Sequence, residues 1–488
     1  MNIIAATNWD PGLIDRLSEF PQVKEEFGVM QKTPVGSARP FFIVANPHQE
    51  EVAQYIEKVH ASGRKFNYLL NGACMNNMEY DKKTHHQLLD HIRWVREAGA
   101  DSVTVTIPYL LELIKKQFPS LEVRVSLIAH VNSVQRAKLF ENLGADAITL
   151  DFNINRDFKL LEKIREAVNV KLSLIVNDGC LYQCPYRYYH YNILAHCTQP
   201  YNPLEGFYID YCILHCTIDK FSNPEEIIKS RWIRPEDIHH YEEIGIDTFK
   251  ISGRRMSTHW LMNAVNAYSE QKYIGNLFDI LNCVAPGVDP DIQSPQYQAF
   301  LEKTEFLKRE KLIQLGQLYP VKPHIDNHAL EGFIDYFKTK DCLSGCGDCQ
   351  YCRNIAHKAV DVESTQPAKY VGALRDVLND LITSRIFEDS EPETHHRPAD
   401  TLLPSSLTWS PTVREIFDDI VQKVPETFRD IATKIVKQKA ETNAVQRNSN
   451  VVEETDMVKA FLSETPEFFK DQMLSGLQGK GIDPGNYI

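Results

Sequence analysis

Four cysteines fall close together in the segment DCLSGCGDCQYC, at Cys342, Cys346, Cys349 and Cys352. Thiolates at this density can wrap one iron–sulfur cubane, whose iron corners lie a few ångströms apart. A structural zinc site more often uses two CxxC knuckles separated by a longer spacer. Gly345 and Gly347 give the backbone freedom to turn around such a cluster. The spacing points to a 4Fe–4S cluster, with zinc and redox-active thiols as the alternatives. The first three of these cysteines also carry the x3, x2 spacing of radical-SAM enzymes. The motif lies beyond the barrel region, and its fourth cysteine can fill the iron corner that S-adenosylmethionine needs; both weigh against that chemistry.

A second group occupies NDGCLYQCPYRYYHYNILAHC and YIDYCILHC, with Cys180, Cys184, Cys197, Cys212 and Cys216. Three or four of these are expected to hold a cluster, and spacing alone leaves open which four. Cys180 and Cys184 directly follow a predicted strand and are the firmest members, with Cys74 as a reserve ligand. Cys283 stands apart from both groups. Clustered cysteines in a long chain of this kind serve metals or catalysis more often than disulfides. Arg187 and His196 accompany the group as candidate cofactor-binding residues; a cation beside an anionic cluster raises its potential or holds an anionic substrate.

Elements must bring these residues together. From about residue 40 to 180, short apolar β-branched runs alternate with helical stretches such as HHQLLDHIRWVREAGA and SVQRAKLFENLGA. Strands are predicted at Phe41–Ala45, Phe66–Leu70, Ser102–Ile107, Val123–Ile128, Ala147–Leu150 and Lys171–Val176, with further ones at Phe207–Leu214 and Thr248–Ile251. Both quoted helices stop at Gly-Ala, a use of glycine's tolerance of positive φ. Strands buried on both faces and separated by helices make a parallel sheet. So many units in succession, without a Gly-rich dinucleotide loop, fit a TIM-like (β/α) barrel of the α/β class better than a Rossmann sheet. The expected organisation is a barrel over residues 1–280, an extension with the Cys-rich segment over 281–385, an acidic Pro- and Ser-rich linker over 386–410, and a small helical module over 411–488.

Barrel chemistry sits at the C-terminal ends of the strands. Reading those ends gives Asn46, Asn71, Thr106, His130, Asp151 and Asn177, of which His130, Asp151 and Asn177 are candidate catalytic residues. Arg254, at the end of the Thr248–Ile251 strand, joins them as a fork for a carboxylate.

The 488 residues carry a net charge of −13 with 43% hydrophobic residues, which is globular composition and argues against a general nucleic-acid binder. No run approaches the length of a membrane span, and a cytoplasmic location is expected.

GCLYQCPYRYYHYN together with IKSRWIRPEDIHHYEEIGIDTFKISGRRMSTHWLMNAVNAYSEQ resembles the collagenase-like peptidase family, the U-32 group, over roughly residues 40–280. The family usually has Glu where Ser252 stands. The resemblance implies a barrel with a 4Fe–4S cluster near its mouth, bound through Cys180 and Cys184 above all, and oxygen-independent chemistry of the kind performed by hydroxylases of RNA bases or quinone precursors, some of them heterodimers. The Cys342–Cys352 group is absent from the small hydroxylases and implies a second cluster. The tail WSPTVREIFDDIVQKVPETFRDIATKIVKQKAETN resembles the helical module of light-independent protochlorophyllide reductase, through Trp409, Pro425 and Phe428.

Together these readings predict an iron–sulfur oxidoreductase or oxygen-independent hydroxylase acting on a small or cofactor-like substrate. An electron donor or acceptor protein and a hetero- or homodimeric partner are further expectations, while the charge disfavours RNA. The competing readings are a partner-dependent iron–sulfur subunit, a peptidase and a radical-SAM enzyme.

Overall fold

The computed structural model describes residues 1–38, 45–202, 210–283, 323–340, 342, 346, 348–362, 367–383, 407–424, 426–447, 449–465 and 467–487. It divides into two compact units, Met1–Glu388 and Asp389–Ile488.

In the first unit, eight parallel strands close into a barrel in sequence order: β1 (Asn2–Ala6), β2 (Val23–Gly28), β3 (Lys65–Leu70), β4 (Ser102–Val105), β5 (Glu122–Val125), β6 (Ala147–Thr149), β7 (Lys171–Ile175) and β8 (Thr248–Ile251). Closure pairs Asn2 with Thr248 and Ala5 with Ile251. The TIM-like fold is thus present. Helices α1 (Pro11–Leu17), α2 (Gln49–Ala61), α3 (Lys82–Glu97), α4 (Pro108–Gln117), α5 (Val134–Asn142) and α6 (Phe158–Ala167) alternate with the strands. Behind α3 and α5 the chain turns at Gly99 (φ 93°) and Gly144 (φ 99°), as the Gly-Ala stops predict.

Two strands escape sequence inspection. β1 is short, and β2 reads VKEEFG, whose charges hide its alternation. Both glutamates are paired: Glu25 receives the Arg124 guanidinium at 3.2 Å, and Glu26 receives Arg64 Nε at 3.1 Å and the Tyr55 hydroxyl at 2.9 Å. Buried carboxylates persist where such partners meet them. The strand predicted at Phe41–Ala45 falls mostly outside the described residues. The one predicted at Phe207–Leu214 needs correction: its described part opens a helix, α8 (Tyr211–Ser222), capped by the Asp210 side chain on the Ile213 N–H. This helix packs Leu214, Ile218 and Phe221 against Tyr370, Leu374 and Leu378 of the helix Pro367–Ile382.

The interior of the barrel is polar in its middle. Asn67 donates to Ser102 Oγ at 2.6 Å and accepts from Thr104 Oγ1 at 2.6 Å, while Arg124 reaches from β5 across to Glu25 on β2. Between β7 and β8 the chain departs from the simple repeat, with α7 (Arg187–Cys197), α8, α9 (Glu225–Lys229) and α10 (Ile238–Glu243) forming a long insertion; α11 (Thr258–Ser269) follows β8.

The second unit has its own core. Helices Pro411–Gln422, Glu426–Gln446, Glu454–Glu464 and Glu467–Gln478 bury Phe417, Ile420, Val458 and Phe461, and a short parallel pair joins Thr408–Trp409 to Val451–Val452. No helix of the described residues is long and apolar enough to cross a membrane.

Candidate metal centre at the barrel mouth

The C-terminal strand ends differ in how they are used. Asn46 is exposed. Thr106 donates to the Asn71 carbonyl at 2.9 Å. Asn177 is fully buried and spends its amide on Ser252: its Nδ2 donates to the Ser252 carbonyl at 2.9 Å, and its Oδ1 accepts from the Ser252 N–H at 2.8 Å. It therefore ties the ends of β7 and β8 together.

His130 and Asp151 meet behind this rim. His130 Nδ1 lies 3.3 Å from Asp151 Oδ2, and Arg187 Nη1 donates to both Asp151 oxygens at 2.7 and 2.9 Å. Asp151 is 1% exposed and Arg187 6%. Burial works against the carboxylate, but the His130 hydrogen bond, the Arg187 guanidinium and the Asn153 N–H together hold its carboxyl below the ordinary range. The guanidinium also lies over the Phe152 ring at 4.1 Å. Arg187 begins α7, so this knot anchors the helix that follows the Cys180–Cys184 loop.

Thiols gather around a buried lysine in the insertion. Cys180, Cys184, Cys216 and Cys283 all lie within electrostatic reach of Lys220, itself 6% exposed on α8. Burial first, then neighbouring anions, pushes the Cys283 thiol up to about 11 and raises Cys180 well above the ordinary thiol value; Lys220 pulls both the other way. Cys212 meets Cys184 and Cys216, and its thiol is likewise pushed up by burial, to about 12. Thiols so placed stay protonated unless a metal deprotonates them. Of the five residues expected from spacing, Cys197 sits buried on α7 with its thiol donating to the Leu194 carbonyl at 3.2 Å. His196 is half-buried on the same helix, its Nε2 without a hydrogen bond and its basicity lowered by burial.

Sequence inspection missed Cys283. It is distant along the chain and carries no spacing signature. A backbone bridge delivers it: Asp178 pairs with Asn282, whose N–H donates to the Asn177 carbonyl at 2.7 Å. Gly179 makes room, since a Cβ there would stand 2.1 Å from Cys283 Sγ. Gly179→Ala is therefore expected to push Cys283 away and lower any metal bound at this site while leaving any bound at the Cys342–Cys352 site. Iron per chain in the single variant and in Gly179→Ala combined with Cys346→Ala/Cys349→Ala checks it; unchanged iron in Gly179→Ala would contradict it.

The second group lines a cavity of about 180 Å³. Cys342, Cys346, Cys349 and Cys352 line it together with Tyr336 and Arg231. Tyr336 Oη lies 3.1 Å from Cys349 Sγ, which also accepts from the Tyr351 N–H at 3.4 Å. Arg231 is 3% exposed, and its Nε and Nη1 have no hydrogen-bond partner. A buried guanidinium with unused donors, lining the same cavity as four thiols, favours an anion nearby. Among the described residues, the one set of three donors whose ligand atoms all lie within 4.8 Å is His239, His240 and Glu243. No three of the four cysteines fall in such a set among the described residues.

A neighbour of one thiol group reaches a residue of the other's loop. Tyr182, between Cys180 and Cys184, lies under the Arg231 guanidinium, 3.6 Å from ring centroid to carbon. Arg231 thus borders the second cavity and the first loop at once.

Comparison with known proteins gives three results. The profile described as Peptidase family U32 matches residues 37–275, and one described as Protein of unknown function (DUF2621) matches residues 402–488. An uncharacterized protease of Methanocaldococcus jannaschii is 33% identical over 347 residues, spanning 70% of this chain and 90% of that one. A solved U32 peptidase is 22% identical, with a TM-score of 0.39, over 52% of this chain and 93% of that one. With the barrel, the RPED and KISGR segments and this length of shared sequence, the chain belongs to peptidase family U32.

Proposed function

We propose that this chain is an iron–sulfur enzyme that modifies a small substrate by oxygen-independent redox chemistry, hydroxylation or a related step, at the C-terminal mouth of its barrel. The observation that carries the reading is the cavity that four cysteines line together with buried Arg231, whose Nε and Nη1 have no hydrogen-bond partner. Cys342, Cys346, Cys349 and Cys352 would hold one 4Fe–4S cluster. Cys180, Cys184, Cys216 and Cys283 would hold another, because each of these thiols feels the charge of buried Lys220. Such clusters supply one-electron chemistry, or a Lewis-acidic iron where a ligand position is open.

The chain's own residues have separable tasks under this reading. Lys220 and Arg231 balance the negative charge of thiolates out of water. The Arg187–Asp151–His130 knot fixes the loop carrying Cys180 and Cys184. Arg254 borders the mouth cavity and is suited to hold an anionic group. Tyr336 would donate to Cys349 once that sulfur is a thiolate, and a hydrogen bond to a cluster sulfur stabilises its reduced form. Tyr336→Phe is accordingly expected to shift one cluster's reduction potential to more negative values without loss of iron, read by a redox titration followed by electron paramagnetic resonance. A potential that does not move would contradict the role of that hydrogen bond.

The relatives are named proteases, and peptide hydrolysis is the rival. A direct comparison separates the two. Oxygen-free protein is assayed for reversible bleaching of its visible absorbance by dithionite, recovery in the presence of a small-molecule extract, and hydrolysis of labelled casein. Bleaching and recovery without hydrolysis is the expected result; casein cleavage by iron-free protein would overturn the proposal.

A further inference from the structure

The barrel holds a lysine that no cluster explains. Lys250 sits on β8 two residues before Ser252, facing inward and 5% exposed, and borders a cavity of about 50 Å³ at the barrel mouth. This space admits a few water-sized groups. Phe27 meets the amine face-on, with Nζ 3.8 Å from the ring centroid. Among the described residues no acceptor hydrogen-bonds to it. The carboxylate that acts on it, Glu25, is engaged by both Nη2 contacts of Arg124 at 3.2 and 3.3 Å.

An ammonium buried without a carboxylate is costly, and a methionine would fill the same volume without that cost. The groups facing Lys250 are Glu25 from β2, Arg124 from β5 and Arg254 from the loop after β8. Burial first, then Arg124, lowers its pKa to about 7; Arg254 acts in the same direction and Glu25 opposes them. A large share of the amine is thus neutral near neutral pH. A desolvated neutral lysine among cations is the pattern of an amine nucleophile. Cations around a small cavity add a preference for a carbonyl compound that carries a negative charge.

We propose that Lys250 captures the carbonyl carbon of a small 2-oxo acid as an imine, with Arg254 on the side of the acid's carboxylate. A C–N double bond replaces the C–O double bond, and both amine protons leave with the carbonyl oxygen as water. The step balances with no oxidant or reductant. It rests on the reading of the barrel mouth as the substrate site, with Arg254 on the anion, but on no cluster, because no cysteine lines this cavity.

Reductive trapping tests it. The oxygen-free full-length protein is incubated with cyanoborohydride and, separately, glyoxylate, pyruvate or acetaldehyde, then digested and mapped by mass spectrometry. Lys250 should carry the reduced adduct of at least one oxo acid at about tenfold the level of any other lysine, and acetaldehyde should label it far less. Lys250→Met, checked for an unchanged melting temperature, should lose that adduct and keep its iron content. No adduct on Lys250 with either oxo acid would overturn the inference. Equal labelling by acetaldehyde would overturn the assignment of an anionic substrate. Iron content is read on the same samples, so failure of the cluster reading and failure of this one remain distinct.

Discussion

Cys283→Ala should strip one cluster's worth of iron and sulfide from the protein, while Cys212→Ala should leave the content unchanged. The two substitutions separate ligands read from spacing from ligands read from geometry. Five thiols stand near one another, Cys180, Cys184, Cys212 and Cys216 from the insertion and Cys283 from beyond α11, and a cubane uses four. Cys180, Cys184, Cys216 and Cys283 all lie within reach of the buried Lys220 ammonium. Cys212 instead meets Asp210, Cys184 and Cys216. Removing an auxiliary thiol leaves the four corners filled; removing Cys283 opens one beside a cation selected to balance the complete set. Anaerobic purification with iron and acid-labile sulfide assays gives the answer, and the reverse pattern would place Cys212 in the cluster and return Cys283 to the packing.

Asp151→Asn is expected to cost about 3–5 kcal/mol of stability, the range for breaking one side of a buried ion pair. The variant keeps the shape of the side chain and deletes the charge that both Arg187 and His130 meet. Arg187, 6% exposed and stacked on Phe152, has no route to water that keeps its packing. The pH dependence follows from the lowered carboxyl pKa of Asp151. A group whose folded pKa is depressed contributes stability above its unfolded value, near 3.9, and loses it as pH falls through the folded value. The gap between wild type and variant should therefore be full at neutral pH and close in acid below about 4. Urea midpoints measured across that range check both claims. A loss under about 1 kcal/mol at neutral pH, the worth of a surface pair, would show that the knot is solvated in solution.

The barrel was legible where strands were apolar and helices ended on glycine. Phe66–Leu70 and Thr248–Ile251 could be read almost to the residue, because both are buried runs flanked by helical periodicity. β2 could not, because its glutamates need Arg124 and Arg64, partners that only the closed barrel supplies. The Phe207–Leu214 run misled for a related reason: an apolar stretch does not say whether a sheet or another helix covers it. At the site, the tight Cys342–Cys352 spacing announced a shared pocket, since local chain geometry alone brings those thiols together. Asp151, Arg187 and His130 were each legible as rim residues, but not as one hydrogen-bonded knot. Cys283 was out of reach, because its approach depends on the Asp178–Asn282 bridge and on a glycine opposite its sulfur. The polarity of Lys250 was visible in the sequence, while its lack of a carboxylate partner appears only with the barrel closed around it.

The most direct test of the whole account is the metal content of the wild-type chain and of Cys346→Ala/Cys349→Ala, purified strictly without oxygen. About eight irons and eight sulfides per chain, falling to about four of each in the variant, is the predicted result for two 4Fe–4S clusters. Stoichiometric zinc without iron or sulfide would contradict it, and the two thiol groups would then be structural metal sites in a barrel whose chemistry lies elsewhere.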